Sequence, residues 1–257
     1  NKRPYYTSIV ICQDKIIVVD GKVRIHRRHD GKLLDMINRD SRPCDICLMD
    51  ATTICVLHYD GLIEMASIKS EDMSPVFTRM KSFRLDGVLD WCHSVVRVHD
   101  NIVVTGVKQD TTCWCIASPD DGHVDTIHRI CKNSRWSSVT TKDNIIYISC
   151  YVGVGDGDTG VYGFDILNPS QCKYKYKHER LQEPRSIVIN EDGNIFVGNG
   201  DLLDPCIHQL TSSCQPVAIF SPWRIPRLLL AMFWDNGGLY VTRLGSRDIT
   251  VFRHVHQ

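Results

Sequence analysis

No run of about 18 apolar residues occurs in the chain, so the sequence offers no membrane-spanning helix. The longest apolar stretch, residues 228–234, suits a buried strand. An excess of either charge is also absent: thirty Lys and Arg balance thirty Asp and Glu. Net charge therefore gives no support for wholesale nucleic-acid binding, and only a local patch stays open. Twelve cysteines in 257 residues are too sparse for a small disulfide scaffold. Cys12, Cys47, Cys55, Cys115 and Cys150 fall inside apolar strand patterns, which reads as buried, reduced thiols in a cytoplasmic protein. A disulfide-bonded extracellular protein is the alternative. The chain opens Asn1-Lys2-Arg3-Pro4, without Met or a signal-like start, and reads as a piece of a longer protein. There is no G-x-S-x-G elbow and no H-E-x-x-H.

What the chain does contain is one five-residue pattern, six times over. The copies are Ile16-Ile17-Val18-Val19-Asp20, Ile54-Cys55-Val56-Leu57-His58, Ile102-Val103-Val104-Thr105-Gly106, Ile145-Ile146-Tyr147-Ile148-Ser149, Ile195-Phe196-Val197-Gly198-Asn199 and Leu239-Tyr240-Val241-Thr242-Arg243. Their first residues lie 38, 48, 43, 50 and 44 positions apart. A β-rich repeat of this period is the mark of a propeller blade, a small sheet that buries its faces only between neighbours in a closed ring. The expected fold is all-β: a six-bladed β-propeller of four-stranded antiparallel blades, one domain over 1–257. The blades fall at about 8–38, 44–83, 94–130, 137–177, 185–220 and 227–257.

Each blade repeats one grammar. An apolar inner strand (9–11, 46–48, 95–98, around 139, 187–189, 228–230) meets a polar turn such as Asp143-Asn144, Asp192-Gly193 or Asn236-Gly237. Asp, Asn and Gly tolerate the positive φ of short hairpins. The five-residue pattern forms the second strand. Third strands are expected at 22–28, 62–68, 112–117, 161–166, 206–210 and 249–254, and fourth strands at 33–37, 76–83, 124–130, 173–176 and 217–220. Blade six lacks an obvious fourth strand, and residues 2–6 are placed to supply it and close the ring.

The sharpest units are Glu183-Pro184-Arg185-Ser186-Ile187-Val188-Ile189-Asn190-Glu191-Asp192-Gly193-Asn194-Ile195-Phe196-Val197 and Ile225-Pro226-Arg227 through Leu239-Tyr240-Val241-Thr242, ending Ile249-Thr250-Val251-Phe252. They resemble NHL repeats, with Ser186 and Leu228 where that pattern has Gly. The resemblance implies the C-terminal domain of a tripartite-motif protein, which recognises a protein substrate or an RNA hairpin while a RING finger elsewhere transfers ubiquitin. WD and Kelch repeats fit less well: Trp234-Asp235 reads as a turn, and paired glycines occur once, at Gly237-Gly238.

A propeller binds at the mouth of its channel. Arg42, Arg135, Arg185 and Arg227 each stand at the start of an inner strand, and would form a partial ring there. Arg suits carboxylate and phosphate, and stacks on flat rings. Trp136 and Trp223 lie on the same connections, Tyr151 on an adjacent loop, and Arg243 ends the sixth copy. This set matches a protein hot spot and also a surface for unpaired bases. Pairing of each Arg with a neighbouring carboxylate is the purely structural alternative. The alternating acids of Asp156-Gly157-Asp158 read as a solvated loop, and Arg24, His26, Arg27, Arg28 and His29 as a solvated face. Cys44 and Cys47 lack a second zinc-finger pair.

Propeller lactonases hold calcium with acidic and amide side chains on the inner strands, where this chain offers only Asp45, Asp50 and Asn190. Propeller lyases use channel histidines on zinc, and the histidines here fall mostly on outer strands or turns. A non-enzymatic protein-binding module is expected, with RNA binding second and a metal-dependent lactonase or lyase a distant third. No cofactor and no metal is expected. The propeller is expected to be monomeric, with any oligomer formed through a coiled coil outside it.

Overall fold

The computed structural model describes residues 7–38, 40–69, 76–153, 158–201, 203–221, 229–243 and 248–253. They form six antiparallel sheets. Blade one is β1 (Ser8–Cys12), β2 (Lys15–Val19), β3 (Val23–Arg27) and β4 (Leu33–Ile37). Blade two is β5 (Pro43–Leu48), β6 (Thr53–His58), β7 (Leu62–Ile68) and β8 (Phe77–Arg84). Blade three is β9 (Trp91–Val98), β10 (Asn101–Lys108), β11 (Thr111–Ala117) and β12 (Val124–Lys132). Blade four is β13 (Ser134–Lys142), β14 (Ile145–Val152), β15 (Gly160–Asp165) and β16 (Asn168–Tyr176). Blade five is β17 (Pro184–Ile189), β18 (Ile195–Asn199), β19 (Cys206–Leu210) and β20 (Pro216–Phe220). Blade six has three described strands, β21 (Leu229–Asp235), β22 (Gly238–Arg243) and β23 (Ile249–Arg253). The proposed closing segment, residues 2–6, lies outside the described residues.

The hairpin turns use left-handed backbone, as their polar residues require. In three of them it falls on Gln13 (φ 56°), His99 (φ 50°) and Asp143 (φ 53°). Trp234 and Asp235 are not in a turn. They pair with Leu239 and Gly238 at the end of β21, because the hairpin needs only Asn236 and Gly237. The fourth strand of blade four starts at Asn168, five residues before the apolar signal, since its exposed half carries no pattern to read.

Six apolar clusters fill the ring, one between each neighbouring pair of blades. All twelve cysteines are free, and all but Cys172 are buried. Cys44, Cys47, Cys55, Cys92, Cys113 and Cys115 sit together between blades two and three, where they pack as small apolar side chains. Blade one meets blade six through Ile9, Ile11, Val18, Ala231 and Tyr240. Arg28 ties that seam, donating to Asp235 at 2.6 Å and to the Tyr240 hydroxyl at 2.7 Å. Part of the basic cluster on blade one is thus structural; Arg24 pairs Asp20 at 2.9 Å and Arg27 pairs Asp30 at 3.0 Å.

Inner strands face the channel with one edge unpaired, so their amides need other acceptors. Side chains from the preceding blade supply them: Asp45 Oδ2 accepts from Val95 N (2.8 Å), Ser94 Oγ from Val139 N (3.2 Å), and Ser186 Oγ from Met232 N (2.9 Å). The smallest of the blade-to-blade clusters adjoin blade six, and β23 has a strand partner on one side only among the described residues. Amide exchange should therefore be fastest in β21–β23 and slowest in β10 and β14. Uniform protection across all six blades in a hydrogen-exchange experiment would contradict this.

Candidate functional site at the channel mouth

Five of the six inner strands carry a β-bulge near their first residues. The extra residues are Cys44, His93, Arg135, Arg185 and Leu230. A bulge puts two residues opposite one and re-aims the extra side chain. Sequence order alone does not show that two of the four candidate arginines are bulge residues.

The arginines share one end of the ring without being copies of one position. Arg185 sits opposite the Gly198–Asn199 step of β18. Arg135 sits opposite Tyr151–Val152 of β14, three residues farther along the corresponding strand. At about 3.3 Å per residue, Arg135 stands roughly 10 Å farther out than Arg185. Arg42 precedes the bulge at Cys44 by two residues, and its carbonyl accepts from Tyr59 N at 3.1 Å. Trp223 and Arg227 lie outside the described residues, as does the side chain of Arg243.

The structure joins Arg185, Trp136 and Tyr151 into one cluster, and adds His93 and Glu183, which the sequence did not flag. The Arg185 guanidinium lies 5.9 Å from the Trp136 ring centre and 5.2 Å from that of Tyr151. Its Nη2 donates to Glu183 Oε2 at 3.0 Å, and the Tyr151 hydroxyl donates to the other oxygen at 3.2 Å. Trp136 Nε1 donates to the Arg185 carbonyl at 2.9 Å, tying blade four to blade five. The His93 ring stacks on Trp136, centroids 5.0 Å apart, and reaches Ser137 Oγ at 3.2 Å. Burial, and then the positive charge of Arg185, push the His93 pKa down to about 4, so it is neutral at pH 7. Burial and Glu183 raise the Tyr151 phenol.

Gly200 makes room for this arrangement, because a Cβ there would overlap Cγ of Arg185. Gly200→Ala should therefore lift Arg185 off its rings and cost about 1–3 kcal/mol in a urea titration. The His93 pKa, relieved of the guanidinium, should rise in an NMR titration; an unmoved value would refute this packing argument. Gly153 plays the same part for Arg135, whose Nε would lie 3.1 Å from an added Cβ.

A second patch occupies blades two and three. The Arg42 guanidinium lies 5.3 Å from the Tyr59 ring centre. Tyr59 O accepts from Cys92 N at 3.0 Å, which brings the neighbouring Trp91 alongside. Trp91 is 60% exposed, unusual for the largest apolar side chain. It precedes the His93 bulge by two residues, as Arg42 precedes Cys44, so blade three fills this place with Trp rather than Arg. That shared spacing was the available signal, and counting arginines passed over it. Among the described residues, Arg42 and Arg135 have no carboxylate partner, whereas Arg185 does.

The channel below the mouth holds a cavity of ≈ 270 Å³, lined among others by Thr7, Asp45, His93, Ser138, Arg185 and Leu230. Burial raises the Asp45 carboxyl above its ordinary range, against hydrogen bonds from Ser8, Ser94 and Val95. Asp158, from the acidic loop of blade four, faces Lys177 at 3.1 Å and Lys175 at 3.9 Å; Asp156 lies outside the described residues.

No family model matches the chain, and no curated protein matches it. Solved structures do resemble it. A computationally designed protein, Ika8, aligns over 97% of this chain and 71% of its own, with a TM-score of 0.60 at 13% identity. BamB from Moraxella catarrhalis aligns over 97% of this chain and 70% of its own, with a TM-score of 0.56 at 16% identity. At these identities the likeness establishes the architecture: this chain is a six-bladed β-propeller.

Proposed function

We propose that the chain is a recognition module that binds a protein substrate at the channel mouth. The observation that carries this reading is the composition of that one face. A Trp exposed to 60%, an Arg42 that lies on Tyr59 without a carboxylate partner among the described residues, and the Arg185 cluster lie toward the same end of the inner strands. Trp, Tyr and Arg are the residues that dominate binding energy at protein interfaces. The NHL-like repeats extend the proposal to the parent protein, as the substrate-binding part of a tripartite-motif ubiquitin ligase whose catalysis lies outside these residues. A second reading is favoured by the exposed Trp91, whose neighbour Cys92 bonds to Tyr59, the residue under Arg42; such a ring equally suits stacking of an unpaired RNA base.

A photo-crosslinking amino acid in place of Trp91, compared with one in place of Val217 on the outer rim, tests both readings. Discrete protein adducts at position 91 that disappear with Arg42→Glu support the substrate receptor. Adducts removed by ribonuclease, formed only at low salt, support RNA instead. Adducts from position 217 with none from 91 would move the site off the mouth.

A further inference from the structure

The throat below the mouth assigns a chemistry to the partner. Arg185 presents two donors side by side, Nε and Nη2, the fork that grips a carboxylate with two bonds. In this structure Glu183 uses half of it. Nη2 donates to Glu183, whereas Nε is buried and has no hydrogen-bond partner among the described residues. The second oxygen of Glu183 accepts from the Tyr151 hydroxyl and is turned to that ring, so in this pose the carboxylate leaves the fork half filled. Yet the backbone of Glu183 is fixed, by Asn199 Oδ1 on its amide at 2.8 Å and by Gly200 N on its carbonyl at 2.6 Å. Only its side chain, 27% exposed, is free to swing away. A buried donor without an acceptor next to an ill-fitting internal carboxylate is a site held by a stand-in.

We propose, building on the protein-binding reading, that the partner inserts one acidic side chain into the throat, displaces Glu183, and closes the two-bond fork on Arg185. Trp136 and Tyr151 keep the guanidinium flat and in place for this exchange. The cavity of ≈ 270 Å³ has room for a single inserted side chain. His93 is neutral beside it and adds no second positive charge. A phosphate, more highly charged, would still meet only one guanidinium, with the buried Asp45 on the same lining, once Glu183 had moved aside. A single carboxylate is the better match, and this favours an acidic peptide over a nucleic-acid backbone. The Arg42, Tyr59 and Trp91 patch would then hold residues flanking the acid.

Two variants and three probes decide it. The probes are N-acetylglutamate amide, N-acetylglutamine amide and an oligouridine, and the readout is the Arg185 Nε–H resonance. The glutamate probe should shift it and the glutamine probe should not. Glu183→Gln removes the competing charge and should bind the glutamate probe about two- to fivefold more tightly. Arg185→Lys, which cannot offer a fork and is followed instead through the indole N–H of Trp136, should bind it at least about tenfold more weakly. No shift with the glutamate probe in either the natural protein or Glu183→Gln overturns the proposal, as does a shift with oligouridine alone. Failure here, with crosslinking from position 91 intact, would remove the acidic anchor and leave the mouth as the binding face. Loss of both would remove the mouth itself.

Discussion

Taking the protein from pH 7 to pH 4 should remove several kcal/mol of folding stability before any carboxylate pair is broken. Two buried histidines cause it. His93 is 6% exposed and His208 is not exposed at all. His208 lies between blades four and five, with Nδ1 2.9 Å from the Tyr176 hydroxyl and Nε2 3.4 Å from Cys206 Sγ. Burial, helped by His178 and Arg180, pushes its pKa down to about 4, as burial and Arg185 do for His93. Both rings stay neutral in the fold, while in the unfolded chain they take up protons near pH 6.5. The unfolded state therefore binds more protons between pH 6.5 and pH 4, and stability falls as pH falls through that window. Each histidine contributes a loss of about 3 kcal/mol when the window is fully crossed. Asp45 works in the opposite direction, since its raised carboxyl gains protons in the fold first. Asp60 and Asp204 are held below the usual carboxylate range by their partners, so their contribution is lost only at still lower pH. Urea midpoints at pH 7, 6, 5 and 4 should fall accordingly. His208→Gln and His93→Gln should each flatten the slope by about 1.4 kcal/mol per pH unit in mid-window. A slope that neither substitution changes would show that the histidines are not the cause.

The ring was legible from the sequence because its signals are local and repeated. A short continuous apolar run such as Ile195-Phe196-Val197 and a turn such as Asn236-Gly237 specify a hairpin without reference to anything distant. Third and fourth strands at 62–68, 206–210 and 33–37 coincide with β7, β19 and β4 for the same reason. The site was legible only in part. Arg185, Trp136 and Tyr151 could be named from residue type and position. Glu183 as their partner could not, because a bulge is defined by the register of the neighbouring strand. Trp91 was not legible from residue type, because blade three has Trp at the place where blade two has Arg42. His93 and His208 act across blade boundaries, through Trp136 and Tyr176, and no pattern within one repeat records such contacts.

Removing His58 should be more damaging than removing His58 together with the acid it faces. His58 ends β6 with no exposure, and Glu64, 2% exposed, lies on β7 beside it. Nε2 of His58 is 3.0 Å from Glu64 Oε2, and Nδ1 is 3.0 Å from the Ser41 carbonyl. Arg79, half exposed, stands 3.6 Å from the second Glu64 oxygen, too far for a strong bond. His58→Leu strips a buried carboxylate of its closest partner, a change that costs about 3–5 kcal/mol in comparable sites. For a chain of this size the melting temperature should fall by about 10 °C. Glu64→Leu leaves the ring with its bond to the Ser41 carbonyl intact and should cost about 1–3 kcal/mol. The double substitution removes both polar groups and should cost less than His58→Leu alone. Equal, additive costs in a double-mutant cycle would show that the two side chains do not act as a pair. The same pair reaches the mouth, since His58 holds the carbonyl of Ser41 and Arg42 follows directly. Glu64→Gln keeps a hydrogen bond to the ring, so it should spare Arg42-dependent crosslinking from position 91. His58→Leu should weaken that crosslinking even at temperatures where the variant stays folded, because the segment that carries Arg42 has lost one of its anchors.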